Sequence, residues 1–237
     1  MGVALGDCDK DGDLDVFVTE IHTLGRHNVL FRNDTIGGVP AFTEIANSAG
    51  VADSDWAWGT TFIDADNDTW LDLAVVNGRD AGEWGTDPSR LYWNDGTTGL
   101  TFTDVSDAVG FNDTLVAGGL ATADFDRDGD LDLVESALDT LVIFDNVRTG
   151  AAAANHYVVI RPRMRDANRR AIGALVHVTV GAETQMRPIL AGSSLLSQEP
   201  AEAHFGLGRA TMVDLVRIEW PDGRVTERSN VGADQVL

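Results

Sequence analysis

Asp124-Phe125-Asp126-Arg127-Asp128-Gly129-Asp130-Leu131-Asp132 is the stretch on which the reading of this chain turns, because an acidic side chain recurs there at almost every second position. Folded into a tight loop, Asp124, Asp126, Asp128 and Asp132 would bring four carboxylates within about 5 Å of one another, a repulsion of roughly 3 kcal/mol per pair at an effective dielectric near 20. A hard divalent cation removes that penalty. Calcium takes roughly six to eight oxygen ligands at about 2.3–2.6 Å. In the spacing D-x-D-x-D-G-x-x-D the first, third, fifth and ninth residues offer side-chain oxygens and the seventh a backbone carbonyl, while glycine in sixth place permits a sharp turn.

The loop recurs twice upstream. Asp7-Cys8-Asp9-Lys10-Asp11-Gly12-Asp13-Leu14-Asp15 and Asp64-Ala65-Asp66-Asn67-Asp68-Thr69-Trp70-Leu71-Asp72 match it with Asp in first, third, fifth and ninth place and Leu in eighth. The candidate ligands for up to three calcium ions are therefore Asp7, Asp9, Asp11, Asp13 and Asp15; Asp64, Asp66, Asp68, Trp70 through its carbonyl, and Asp72; and Asp124, Asp126, Asp128, Asp130 and Asp132. Thr69 stands where glycine is expected, which predicts the second site to be the weakest or most distorted. The third loop alone also fits an EF-hand, with Glu135 in twelfth place, but Val18 and Val75 stand there in the other two and the flanks are strand-like. Dockerin-type loops fail for the same lack of flanking helices.

The repeat extends beyond the loops. Leu30–Asp34 (LFRND) parallels Leu91–Asp95 (LYWND), and Phe42–Ile45 (FTEI) parallels Phe102–Val105 (FTDV). The runs LDVFVTE, LDLAVVN and LDLVESA suit buried strands better than helices. Turn signals such as Gly37-Gly38 and Asn94-Asp95-Gly96 separate them. About four short strands per repeat, with aromatic residues in step, predict blades of a β-propeller. Met1–Gly6 aligns with the strand that precedes a loop, so the chain is expected to open mid-blade. Residues 1–150 then supply two to three blades where a closed ring needs about four to eight. The expectation is an N-terminally truncated fragment of a longer protein, with its signal peptide upstream.

Composition shifts at Ala151–Ala154. From Asn155 on there are no acidic loops, and HYVVIRP, ALVHVTVG and LVRIEW alternate with period two. The expected architecture is all-β: a partial propeller over 1–150, then a small sandwich-like β domain over 155–237. Charge divides at the same point. The net charge of -21 splits into 7 basic and 29 acidic residues over 1–154 against 10 and 9 over 155–237. So acidic a surface repels nucleic acid and anionic membrane and attracts cations. No run of about 18 apolar residues is present to span a membrane. Cys8, the single cysteine, has no intrachain partner and reads as a bystander.

The three loops and their β flanks resemble FG-GAP/VCBS repeats, the calcium-binding blades of integrin α-chain propellers. Asn168–Ala174 (NRRAIGA), Ser197-Gln198, His204–Gly208 (HFGLG) and Trp220–Gly223 (WPDG) make the last part similar to the ASPIC/UnbV domain of the cartilage acidic protein family. The resemblance implies a secreted or cell-surface calcium-binding protein that acts in adhesion or recognition, with an extracellular protein or glycan as partner. For the ASPIC/UnbV part it implies no settled activity.

No catalytic motif appears: neither a G-x-S-x-G elbow, a P-loop nor a dinucleotide fingerprint. His22, His27, His156, His177 and His204 are scattered, and His204 is expected to be buried and hydrogen-bonded. Arg161, Arg163, Arg165, Arg169 and Arg170 would form a patch for an acidic partner such as a sulfated glycan, an ordinary solvated edge and turn, or a surface facing the acidic propeller. Asn33, Asn67 and Asn112 open glycosylation sequons, with Asn67 inside a loop. The function expected is a non-catalytic interaction module whose calcium ties the propeller loops. The alternative is an enzyme or biosynthetic accessory protein, carbohydrate-active or of a natural-product pathway, on the same scaffold.

Overall fold

The computed structural model describes residues 1–21, 26–80, 85–97, 99–165 and 167–237. His22 lies outside them. The chain is all-β, with two single-turn helices and one 3-10 turn among the described elements.

Each acidic loop joins the first two strands of an antiparallel sheet, because its Asp side chains accept backbone amides two residues on in a tight turn and the apolar runs on either side favour strand. The first sheet is β1 (Val3–Gly6), β2 (Asp15–Val18), β3 (Val29–Asn33) and β4 (Phe42–Glu44), in that spatial order. The second repeats the plan with β5 (Ala57–Ile63), β6 (Asp72–Asn77), β7 (Arg90–Asn94) and β8 (Phe102–Asp104). The third has β9 (Ala117–Ala123), β10 (Asp132–Ala137) and β11 (Leu141–Phe144), and no fourth strand among the described residues. Registers coincide across the three, for example Phe17↔Leu30, Ala74↔Leu91 and Val134↔Ile143. These sheets are propeller blades, and β1, β5 and β9 are their neighbouring inner strands. The expectation that the chain opens mid-blade is corrected here: Val3–Gly6 is the first strand of a four-stranded meander.

After β4 and β8 the chain makes one helical turn, α1 (Ala46–Ala49) and α2 (Ser106–Val109), each closed by a left-handed glycine, Gly50 or Gly110. Each turn delivers an apolar residue to the next blade. Val51 joins the core between the first two blades, with Phe17, Leu30, Leu73 and Tyr92. Phe111 joins the core between the second and third, with Ala74, Leu91, Leu120 and Leu133.

The remaining sheets pack over one core. In one, β12 (His156–Ile160) lies between β15 (Ala203–Gly208) and β18 (Gln235–Val236), the latter pairing parallel to it. The other has the order β14 (Glu183–Pro188), β13 (Leu175–Val180), β16 (Met212–Glu219), β17 (Val225–Gly232). Val158, Ile160 and Phe205 from the first meet Val176, Val178, Val216 and Val231 from the second, which makes the pair a small sandwich.

One strap of the sandwich, Ser193–Glu199, crosses the inner strands of the blades. Ser194 pairs with Val3 of β1 through two backbone bonds of 3.1 and 3.3 Å, and its hydroxyl accepts the Thr60 amide of β5 at 2.9 Å. Glu199 accepts the Thr61 hydroxyl at 2.7 Å and also bonds Thr122 of β9. All three inner strands thus meet one segment. Gly59 is required for that approach, because a Cβ there would lie 2.8 Å from the Gly118 carbonyl oxygen and 3.0 Å from the Ser194 hydroxyl.

Candidate metal centres

The three loops share one backbone. Their fourth residues, Lys10, Asn67 and Arg127, have φ of 61, 58 and 67°, and their sixth, Gly12, Thr69 and Gly129, have φ of 93, 90 and 95°. A ladder of short-range bonds holds this shape. Asp9, Asp66 and Asp126 accept the amides of Asp11, Asp68 and Asp128, and those three residues accept the amides of Asp13, Trp70 and Asp130, at 2.8–3.3 Å.

Within this frame the carboxylates converge. Asp7, Asp9 and Asp15 form one group, Asp64, Asp66 and Asp68 a second, Asp124, Asp126 and Asp132 a third, with the oxygens of each group within 4.8 Å of one another. Of the other candidates, Asp11 and Asp128 stand at the loop tips, their side chains engaged in the amide ladder. Trp70 is half-buried and stacks under the Lys10 ammonium, 3.8 Å from the ring centroid. Asp13 is half-buried, whereas Asp130 is buried in an ion pair with Arg148.

The first carboxylate of each loop decides whether a cation fits. Asp7 and Asp64 are each 2% exposed, yet both Asp7 oxygens, Asp64 Oδ1 and Asp124 Oδ1 have no hydrogen-bond partner. A buried, unpaired carboxylate oxygen costs several kcal/mol unless it is neutralised. Burial accordingly raises the pKa of Asp7 and of Asp64 to about 7, against the pull of Arg187, and that of Asp9 and of Asp68 to about 6. An oxygen-only set of carboxylates and loop carbonyls has the hard-donor chemistry of calcium.

The ninth residue has a second role that spacing alone did not reveal. Asp15, Asp72 and Asp132 are buried and bridge the loop to the third strand of the blade. One oxygen of each accepts the amide of the loop's second residue (Cys8, Ala65, Phe125) and the other that of Asn33, Asn94 or Asn146, at 2.8–3.1 Å. The signal was present in the recurring Asn of LFRND and LYWND. Cys8 adds its thiol to Asp15 at 2.9 Å, and burial with that carboxylate pushes the thiol pKa well up.

The sandwich sits directly on the loops. Asn155 donates to the Asp66 carbonyl at 2.8 Å, the Gly208 amide to the Asn67 carbonyl at 2.8 Å, and His204 Nε2 bonds the Gly129 carbonyl at 3.0 Å. His204, stacked on Tyr157, is held by burial at a pKa of about 4, so it is neutral and donates through Nε2. Asn67 links the loops, donating to that same Gly129 carbonyl at 3.0 Å, and is fully buried, which closes its sequon to modification. Arg187 places its charge beside Asp7 and Asp64 while its guanidinium donates to Gln185 and the Met186 carbonyl. Of the arginine run, Arg161 pairs with Glu202, and Arg163 donates to the Pro162 and Ala201 carbonyls.

Between the inner strands and the strap lies a cavity of about 110 Å³ bordered by Asp64, Arg187, Glu199 and His204. That is room for a few waters, well below the roughly 300 Å³ at the lower end of ligand pockets. Among the described residues no helix is long and apolar enough to cross a membrane.

Residues 164–237 match the family described as ASPIC and UnbV. Human cartilage acidic protein 1 is 29% identical over 236 residues, which cover 96% of this chain and 34% of that protein, and its Xenopus tropicalis counterpart gives the same figures. Mouse cartilage acidic protein 1 is 35% identical over 116 residues, 47% of this chain and 17% of that protein. The chain thus spans about a third of the length of the human and frog relatives.

Proposed function

We propose that this chain is a calcium-stabilised, non-catalytic interaction module of the extracellular space. Residues 1–150 form FG-GAP/VCBS-type blades and residues 155–237 an ASPIC/UnbV-type β domain. Each loop holds one calcium ion, through Asp7, Asp9 and Asp15, Asp64, Asp66 and Asp68, or Asp124, Asp126 and Asp132, with neighbouring loop oxygens completing the shell. The ion ties the first two strands of a blade and, because the sandwich grips the same loops, fixes the sandwich on the propeller. The observation that carries this reading is the buried, unpartnered carboxylate oxygen at the head of all three loops. The likeness to cartilage acidic protein 1 supports the extracellular setting, and a protein or glycan partner would meet a surface that the ions keep in shape.

Calorimetric titration tests it. Calcium is expected to bind with a stoichiometry approaching three per chain, and Asp124→Ala to remove one ion while sparing the others. A chain that binds no calcium at millimolar concentration contradicts the proposal. Turnover of a carbohydrate substrate that depends on calcium would favour the enzyme reading instead.

A further inference from the structure

Among the described residues, the third blade has no counterpart of the strand that the first two carry on their outer edge. In those, a short Phe-Thr-acid strand pairs with the third strand in one register: Phe31↔Glu44, Arg32↔Thr43 and Asn33↔Phe42, then Tyr92↔Asp104, Trp93↔Thr103 and Asn94↔Phe102. The following amide closes the pairing, from Ile45 to the Leu30 carbonyl at 2.8 Å and from Val105 to the Leu91 carbonyl at 2.9 Å. The acid turns the chain into the helical turn behind it, Glu44 accepting the Ala46 amide at 2.8 Å and Asp104 the Ser106 amide at 3.0 Å.

Register places Ile143, Phe144 and Asn146 of the third blade where Leu30, Phe31 and Asn33, or Leu91, Tyr92 and Asn94, stand. After Asn146 the chain leaves for the sandwich, and among the described residues nothing pairs with the outer edge of β11. The open edge shows in the strand order, which ends at β11. Ile143 is also 54% exposed and Leu141 beside it 62%, whereas Leu30 (0%) and Leu91 (9%) are covered by residues of the next blade.

We infer that the outer edge of β11 is an acceptor for an extended segment of a partner polypeptide with the pattern Phe-Thr-(Asp/Glu)-(Ile/Val). The two filled edges specify the occupant. The acceptor continues an interface the molecule already builds twice, and strand addition to a free edge draws affinity from main-chain bonds and specificity from alternate side chains. The segment's Phe would lie opposite Asn146, its Thr opposite Asp145 and its acid opposite Phe144, and its next amide would reach the Ile143 carbonyl. The inference names a partner chemistry for the proposed interaction module but stands on sheet register, so peptide binding and calcium binding fail independently.

The probe is a labelled peptide copying Thr101–Phe111 (TFTDVSDAVGF), titrated into the calcium-loaded chain and followed by fluorescence anisotropy. Saturable binding is expected, weakened at least tenfold by Ile143→Asp or Leu141→Asp in the protein and by serine in place of the peptide's Phe. Both protein positions are exposed, so the variants should keep the wild-type melting temperature. Absence of saturable binding, or binding indifferent to both variants, overturns the inference. So does a concentration-dependent dimer in sedimentation that either variant abolishes, since it would assign the edge to a second copy.

Discussion

Two residues carry predictions of their own. Thr69 holds φ of 90° in the place that Gly12 and Gly129 fill, a conformation that costs a β-branched residue about 1–2 kcal/mol. Its hydroxyl accepts the Lys10 ammonium, which recovers part of that cost. Thr69→Gly is expected to raise stability by about 0.5–1 kcal/mol in urea unfolding, after about 0.5–1 kcal/mol of extra glycine entropy, and to tighten calcium at the second loop. A lower midpoint would refute the strain argument. Glu135 is fully buried beside Asp113 and Ser89 between the second and third blades, and burial, reinforced by Asp113, lifts its pKa from 4.5 to about 8. The folded state then keeps a proton that the unfolded state releases above about 4.5, so this contribution to stability falls by ~1.4 kcal/mol per pH unit as pH rises towards 8. Glu135→Gln should flatten that decline in melts taken from pH 5 to pH 9. An unchanged slope means that the carboxyl titrates normally.

At the scale of elements, the sandwich and the loops form one mechanical unit, and glycine substitutions separate the forces involved. A Cβ on Gly129 would lie 2.0 Å from Tyr157, whereas one on Gly12 would meet nothing within 4 Å, although both residues have φ near 95°. Gly12→Ala should therefore cost only the backbone term, about 1–2 kcal/mol, and Gly129→Ala about 1–3 kcal/mol more for overpacking. Equal losses in denaturant unfolding would mean that Tyr157 does not press on the third loop. The sequence made the loops legible because their chemistry is local: alternating carboxylates, a left-handed sixth residue and a leucine in eighth place all lie within nine positions. The bracing by Asp15, Asp72 and Asp132 was half-visible, since the receiving Asn recurs but lies 14 to 22 residues downstream. Contacts such as Asn155 to Asp66 and His204 to Gly129 join residues 89 and 75 positions apart and leave no periodic trace. The phase of the first blade was misread for a related reason: the repeat shows where units recur, and only strand pairing shows where each sheet begins.

For the whole molecule, the charge division now has a structural meaning. Fourteen of the 29 acidic residues over 1–154 are gathered into three loops that face the sandwich, and the sandwich answers with neutral or cationic groups: Asn155, His204 and Arg187. Ions at those loops would act on both parts at once, tying strands within a blade and holding the second body in place. Binding to the native state alone stabilises by RT ln(1 + [L]/Kd), about 2.7 kcal/mol per independent site at a hundredfold excess over Kd. The most direct test is the melting temperature of the full chain in excess calcium and in EDTA, with magnesium as a control for charge. The account predicts a rise in calcium of well over 10 °C that magnesium does not reproduce and that Asp7→Ala, Asp64→Ala and Asp124→Ala each reduce. Coincident melting curves in calcium and EDTA would contradict it.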